Sequence, residues 1–181
     1  SAPTDDLMQG AVTLLAPRGA AWGTDEAGTG AGSSANQALY ILYSSGTSGA
    51  PKCIVHSTIG ILLEHFKELS FEIDLRRDDK FFYNTTCSWM MWNWLVSGLG
   101  LGATIVLYDG FALSRDGKIL FDLAEKEAVT IFGTSASYLQ KIEEDGILPK
   151  ETHNLSKIRA VYSTGSRLSP ESFDYVYRAI G

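Results

Sequence analysis

From Ala38 onward, short apolar runs alternate with stretches of helical periodicity, and this alternation limits the fold more than any other feature of the sequence. Strands are predicted at Leu39–Tyr43, Phe81–Thr85, Thr104–Tyr108, Val129–Phe132 and Ile158–Tyr162. Helices are predicted at Thr58–Leu69, Trp89–Leu99, Gly117–Lys126, Ser135–Glu144 and Pro170–Ile180, the last with Ser169 as its N-cap and Pro170 at its first position. Strand–helix alternation is typical of βαβ units. The sequence therefore predicts an α/β fold with a mainly parallel sheet and helices on both faces.

Residues 1–36 differ in composition from the rest of the chain. The run Gly19–Ala35 is rich in Gly, Ala and Ser and has no hydrophobic period. We therefore predict a linker or poorly ordered segment over residues 1–36 and a single partial domain over residues 37–181. The glycines at 28, 30 and 32 lack the spacing of a dinucleotide-binding fingerprint, and no predicted strand precedes them. A Rossmann dehydrogenase is therefore not favoured.

The charge and the cysteine content exclude several classes of protein. A net charge of −6 over 181 residues argues against a nucleic-acid partner, which needs an excess of Lys and Arg. No apolar run approaches the roughly 18 residues of a membrane span. Cys53 and Cys87 have neither zinc-site spacing nor a His cluster nearby, so we predict no metal site and a reducing compartment. Without a leader-like N-terminus, a cytosolic location is expected.

The segment Tyr40–Lys52 is predicted to combine a buried strand with a loop of hydroxyl residues and glycines. Glycines permit a backbone whose N–H groups converge on an anion, while hydroxyl groups and a Lys add donors and charge. Pro51 directly precedes Lys52, so this loop is not a Walker A loop, which needs Gly-Lys-Ser/Thr. The residues assigned to binding a polyphosphate are Ser44, Ser45, Gly46, Thr47, Ser48, Gly49 and Lys52.

This loop resembles the signature phosphate loop of the adenylate-forming superfamily, which includes acyl-CoA synthetases, peptide-synthetase adenylation domains and firefly luciferases. The sequence departs from the usual pattern only at Ser48, where Thr is common and the hydroxyl is retained. The resemblance implies ATP as a substrate. It also implies that the chain is part of the large N-terminal domain of such an enzyme.

A second block, Phe81–Trp94, resembles the corresponding block of acetoacetyl-CoA synthetases, whose hallmark is Gly-Trp-Met-Met-Trp-Asn. Here Ser88 replaces the Gly. The resemblance continues through separate stretches over residues 38–181. These stretches are Gly49–Ser57, Gly102–Gly110, Glu151–Leu155, Ser163–Leu168 and Tyr175–Arg178.

The resemblance implies two further groups of site residues. The acyl pocket is expected to include Trp89, Met90, Met91 and Thr164, and the adenine site Gly165, Ser166 and Arg167. Core packing explains the block from Trp89 to Met91 about equally well, because helical spacing alone brings such residues onto one face. Arg167 departs from the Pro that is usual at its position, and an exposed loop Arg is the simpler interpretation.

The implied reaction has two steps, with acetoacetate, ATP and coenzyme A as substrates and Mg²⁺ on the phosphates. Acetoacetate would attack the α-phosphorus of ATP, and the coenzyme A thiol would then displace AMP from the acyl-adenylate. The catalytic residues of the family are expected beyond Gly181. We therefore expect the isolated 181-residue chain to be inactive, although the whole enzyme would be an acid–thiol ligase of lipid and fatty-acid metabolism.

Two alternatives remain open at the level of sequence. One is an acetyl-CoA synthetase or another short-chain acyl-CoA synthetase, because the phosphate loop does not select the acid. The other is a non-catalytic, truncated module that binds a nucleotide or a partner without chemistry. The resemblance leaves the oligomeric state undetermined.

Overall fold

The computed structural model describes residues 11–15, 37–44 and 49–181. The chain divides into two compact units, one formed by residues 17–75 and the other by residues 1–16 together with residues 76–181. The central part of the predicted phosphate loop, residues 45–48, lies outside the described residues, as do residues 1–10 and 16–36.

The described strands and helices follow the chain in a largely alternating order. The strands are β1 (Ala11–Leu15), β2 (Ala38–Ser44), β3 (Lys52–Ser57), β4 (Lys80–Tyr83), β5 (Thr104–Tyr108), β6 (Ile131–Ser135) and β7 (Ala160–Thr164). The α-helices are α1 (Thr58–Lys67), α2 (Met90–Ser97), α3 (Ser114–Gly117), α4 (Ile119–Glu127), α5 (Ala136–Glu144), α6 (Pro149–Thr152) and α7 (Pro170–Ala179). None of these helices is long and apolar enough to cross a bilayer.

The larger unit is built on a five-stranded sheet with the order β1-β5-β4-β6-β7. Strands β4, β5, β6 and β7 are parallel to their neighbours, whereas β1 pairs with β5 in the antiparallel sense. The predicted α/β class with a mainly parallel sheet is therefore confirmed. The structure differs from the predicted linker at Ala11–Leu15, which pairs with Thr104–Tyr108 as an edge strand. Strand pairing overrides the weak local pattern of this short segment.

Helices cover both faces of this sheet, as the alternation predicts. Phe82 and Phe132 pack on one face, with ring centroids 5.4 Å apart, in a core cluster that also contains residues of α4, α5 and α7. On the other face, Phe81 contacts Trp94 of α2 edge-on, with ring centroids 5.2 Å apart. Because successive strand residues point to opposite faces, the run Phe81–Tyr83 supplies apolar side chains to both layers.

Serine caps set the starts of two helices in this unit. The hydroxyl of Ser135 accepts a hydrogen bond from the backbone N–H of Tyr138, and that of Ser169 accepts one from Ser172. Such a cap satisfies one of the free N–H groups in the first turn. The N-cap predicted at Ser169, with Pro170 at the first helical position, is confirmed.

The smaller unit contains an antiparallel hairpin followed by a helix. Strands β2 and β3 pair from Ala38 with Ser57 to Ser44 with Lys52. The sequence predicts Leu39–Tyr43 as a buried strand of the parallel sheet, and both parts of that prediction are wrong. The strand belongs to this separate hairpin, and Leu39 and Ile41 are about half exposed. Helix α1 follows β3 and continues into a π-helical turn over Glu68–Glu72.

A charged network joins the amino ends of three adjacent parallel strands. The carboxylate of Asp79, which is 5% exposed, accepts hydrogen bonds from the guanidinium of Arg159 at 2.6 and 3.0 Å. It also accepts one from the Thr130 hydroxyl at 2.7 Å and one from the Arg76 backbone N–H at 2.8 Å. Burial opposes ionisation, but these bonds together hold the pKa of Asp79 below its usual value.

We expect Asp79→Asn to lower the free energy of unfolding by about 1–3 kcal/mol, because it removes charge-assisted hydrogen bonds. The pKa of Asp79 is lower in the folded chain than in the unfolded chain. Its stabilisation is therefore present above the unfolded pKa of about 4 and disappears as the pH falls through the folded pKa. Urea unfolding between neutral and acidic pH measures both effects. Asp78→Asn, at the exposed neighbouring position, is the control and should change little.

Candidate active site

The two ends of the predicted phosphate loop lie side by side. Ser44 ends β2, Lys52 begins β3, and their Cα atoms are direct partners across the antiparallel pair. Strand pairing thus brings the first and last assigned phosphate-binding residues together at the loop end of the hairpin. Lys52 and Gly49 are exposed, and Gly49 does not adopt the left-handed conformation that its residue type permits. The assignments at residues 45–48 fall outside the described residues.

In the larger unit, a cavity of about 630 Å³ opens at the carboxyl edge of the parallel sheet. Its lining comes from the segments that follow β4 and β5, from the end of β6 and from α2. Ligands of open α/β sheets bind at this edge, because the loops after neighbouring parallel strands converge there. The volume falls within the roughly 300–1,000 Å³ typical of small-molecule sites.

The cavity lining is mainly apolar and largely neutral. Its apolar residues include Trp89, Trp92, Leu95 and Leu107. Its polar residues include Asn84, Thr85, Thr86, Cys87, Asp109 and Ser135. Among the described residues of this lining, Asp109 is the only acidic or basic one. Such a surface suits a small ligand that is partly apolar and carries hydrogen-bonding oxygen atoms.

Trp89 and Gly165 are brought together, although they are 76 positions apart in the sequence. Two carbons of the Trp89 indole, Cη2 and Cζ2, lie 3.6 Å from the position that a Cβ on residue 165 would occupy. Gly165 follows β7 with a φ of +96°, a conformation that favours glycine. The absence of a side chain lets a flat ring approach this backbone closely, and the ring that does so here is the Trp89 indole. The proposed contact of Gly165 with adenine stays a prediction.

The other predicted site residues occupy different environments. Met91 is 7% exposed and belongs to the apolar core, whereas Met90, the first residue of α2, is 44% exposed. Neither residue is part of the cavity lining. Thr164 is half-buried at the end of β7, and Ser166 and Arg167 are exposed in the turn that follows. The acyl-pocket and adenine roles of these residues stay predictions.

Tyr83 is the main cavity residue that the sequence does not single out. It ends β4 and is 3% exposed, and its hydroxyl donates a hydrogen bond to the Thr134 carbonyl at 3.0 Å. Burial raises its pKa to about 12, so the phenol remains a donor at neutral pH. Its position at the carboxyl end of a predicted parallel strand is the signal that identifies it.

Within the described part of the chain, no group of three or more His, Cys, Asp or Glu side chains is arranged to hold a metal ion.

Residues 8–181 match the model of a protein family described as AMP-binding enzyme. An acetoacetyl-coenzyme A synthetase of Rhizobium meliloti (strain 1021) is 56% identical over 142 residues, which cover 78% of this chain and 22% of the relative. A malonamoyl-CoA synthetase of Penicillium aethiopicum is 46% identical, over 81% of this chain and 22% of the relative. The chain thus spans about a fifth of the length of these relatives. The predicted resemblance to acetoacetyl-CoA synthetases is confirmed.

A solved structure of an acetoacetyl-CoA synthetase from Streptomyces lividans has a similar fold. Its TM-score is 0.75 at 45% sequence identity, and the match covers 80% of this chain and 22% of that structure. Because both the sequence and the fold are similar, the match supports the parallel sheet and the helices that cover it.

The adjacent methionines of α2 give a matched test of core against surface. We expect Met91→Ala to lower the free energy of unfolding by about 2–5 kcal/mol, because it leaves a cavity in the core. Met90→Ala should cost less than about 1 kcal/mol, because nearly half of that side chain is already in water. Urea unfolding of both variants measures the difference. Equal costs would contradict the burial described for α2.

Proposed function

This chain belongs to the AMP-binding enzyme family, and from that premise we propose that it is part of an ATP-dependent acid–CoA ligase that activates acetoacetate. The observation that carries the proposal is the cavity at the carboxyl edge of the sheet, with Trp89 in its wall. The relatives named as acetoacetyl-CoA synthetases match this same part of the chain.

The shape and chemistry of the cavity support a short acid with a second oxygen function. The indoles of Trp89 and Trp92 give an apolar surface for a few carbon atoms. Asn84, Thr85 and Thr86 place amide and hydroxyl groups in the cavity lining, where they can hydrogen-bond a keto oxygen. The hydroxyls of Thr85 and Thr86 also bond the Thr86 carbonyl and the Ser88 hydroxyl, so the Asn84 amide is the donor that a keto oxygen would use and a simple alkyl acid would not.

The hairpin loop supports ATP as the second substrate. We assign Ser44 and Lys52 at the paired strand ends, together with the loop residues between them, to the β- and γ-phosphates. The exposed ammonium group of Lys52 would neutralise phosphate charge, and loop N–H and hydroxyl groups would donate hydrogen bonds. Mg²⁺ is proposed as the ion that accompanies ATP, and the phosphates would supply its ligands.

The proposed chemistry is a pair of displacement reactions. A carboxylate oxygen of acetoacetate forms a bond to the α-phosphorus of ATP as the bond to pyrophosphate breaks. The coenzyme A sulfur then bonds to the acyl carbonyl carbon as AMP leaves, and the thiol proton passes to solvent or a base. In this scheme the described residues bind and orient the substrates. We propose that the groups that complete catalysis lie in parts of the relatives that this chain does not match.

Two neighbouring substrates are the main alternatives within the same chemistry. Acetate would need less space, and malonamate carries an amide where acetoacetate carries a ketone. The malonamoyl-CoA synthetase relative gives the second alternative specific support. A nucleotide-binding module without catalysis is the alternative from another class. A cytosolic location and a place in lipid metabolism also belong to this proposal.

An acid panel tests the proposed substrate directly. The natural protein that contains this sequence would be incubated with ATP, Mg²⁺ and coenzyme A, and acid-dependent AMP release would be measured. We expect kcat/KM for acetoacetate to exceed that for acetate, malonamate and butyrate. A higher value for malonamate or acetate would reassign the substrate, and no AMP release with any acid would favour the non-catalytic module.

The proposed role of Lys52 gives a separate test on ATP. We expect Lys52→Ala to raise KM for ATP by roughly tenfold or more, because one direct charge on the phosphates is lost. KM for acetoacetate should change little. Lys67→Ala is the matched control, since Lys67 is an exposed lysine of the same unit that pairs with Glu64 at 2.9 Å. Unchanged KM for ATP in Lys52→Ala would remove Lys52 from the site.

A further inference from the structure

The side chain of Tyr83 lies flat against a position where only glycine fits. Tyr83 and Gly133 are direct partners in the parallel pairing of β4 with β6. A Cβ added to residue 133 would lie 2.1 Å from Cδ2 of the Tyr83 ring and 2.7 Å from Cγ. Real side chains do not tolerate such distances, so any larger residue at 133 must displace the ring.

Both ends of the Tyr83 side chain are held by the same neighbouring strand. Its ring covers Gly133, and its hydroxyl donates to the carbonyl of Thr134, the next residue of β6. The backbone also contributes, because the N–H of Asn84 donates to the Gly133 carbonyl at 2.8 Å. Because the ring is buried and hydrogen-bonded, it has one well-defined position at the end of β4.

The indole of Trp89 lies between this fixed ring and the turn after β7. The ring centroids of Tyr83 and Trp89 are 6.1 Å apart at 65°, an edge-to-face contact. The indole also lies 3.6 Å from the position that a Cβ on residue 165 would occupy. Trp89 precedes the first residue of α2 and has an extended backbone, with φ −104° and ψ 148°. Its side-chain position therefore depends on these neighbours rather than on the helix.

We propose that Tyr83 is a positioning residue that fixes the length of acid the cavity accepts. The Tyr83 ring lies over Gly133 and holds the Trp89 indole against the turn at Gly165. The indole then forms a rigid wall at one end of the cavity. This inference rests on the proposed function, because it assigns the cavity to the acyl group. Removing the Tyr83 ring would free space above Gly133 into which the indole can turn, and the cavity would lengthen.

The first test compares acids of different length in the natural protein that contains this sequence. The measured quantity is the ratio of kcat/KM for acetoacetate to kcat/KM for 3-oxohexanoate. We expect Tyr83→Leu to lower this ratio by about tenfold or more, since small changes in apolar pocket size discriminate by factors of that order. Gly133→Ala should push the Tyr83 ring toward the indole and lower kcat/KM for acetoacetate without a gain for the longer acid.

Tyr138→Leu is the matched control. Tyr138 is also a buried tyrosine whose hydroxyl donates to a backbone carbonyl, that of Gly117 at 2.8 Å, but it lies in the cluster with Phe82 and Phe132 on the opposite face of the sheet. Its replacement removes the same atoms and should leave the acid-length ratio unchanged. An equal change of the ratio in Tyr138→Leu and Tyr83→Leu would overturn the proposal, as would an unchanged ratio in Tyr83→Leu.

A second measurement does not depend on catalysis. The contribution of Trp89 to acrylamide quenching is the difference between each protein and its Trp89→Phe counterpart. We expect this contribution to increase in Tyr83→Leu and to stay at the wild-type level in Tyr138→Leu. If wild-type protein activates no acid, the proposed function fails, and the quenching result still decides whether Tyr83 holds the indole. No increase in Tyr83→Leu would refute that role.

Discussion

The bare backbone of Gly133 is the constraint on which the candidate acyl site depends. It sits in a buried parallel strand, where glycine is otherwise unfavourable because it adds no packing surface. Because Gly133 has no Cβ, the Tyr83 ring can lie directly on the strand. A Cβ at residue 133 would be only 2.1 Å from Cδ2 of that ring. From there the contacts run to the Trp89 indole and then to Gly165. Gly133 in β6 and Gly165 in the turn after β7 thus lie next to the two rings of an edge-to-face aromatic pair.

The amino ends and the carboxyl ends of the parallel strands have different roles. At the amino edge, Asp79, Arg159 and Thr130 form a hydrogen-bonded network that ties β4, β6 and β7 in register. At the carboxyl edge, the segments after β4 and β5, the end of β6 and α2 supply the residues that line the cavity. Because the network fixes the spacing of the strands at their amino ends, the loops at their carboxyl ends can differ in sequence without changing that spacing.

Much of the sheet unit could be predicted from sequence, because its strands and helices are long enough to show a period. The helix expected to begin near Ser135 and the cap at Ser169 are examples. Pairing partners were harder to predict. Leu39–Tyr43 has the composition of a sheet strand, but its partner is the adjacent run Lys52–Ser57. Ala11–Leu15 pairs with β5, which lies far from it in the sequence, and it stands in a region without the strand–helix alternation seen from Ala38 onward.

The sequence predicted which residue types form the candidate site better than it predicted which individual residues line the cavity. Family resemblance selected the run Trp89–Met91, yet only Trp89 lines the cavity, because the start of α2 turns Met91 into the core. A periodic pattern cannot separate these neighbours, since both are apolar. Tyr83 was missed for a related reason. An aromatic residue in a buried strand looks like core until the bare position beside it, Gly133, is known from the strand pairing.

The central claim is that the acid binds at the carboxyl edge of the sheet with its far end against Trp89. A crystal structure of the natural protein with a non-hydrolysable acetoacetyl-adenylate analogue tests it most directly. The account predicts the acyl methyl group within van der Waals contact of the Trp89 indole, about 4 Å, with the Tyr83 ring still over Gly133. An acyl group bound elsewhere, with the cavity beside Trp89 left to solvent, would contradict it.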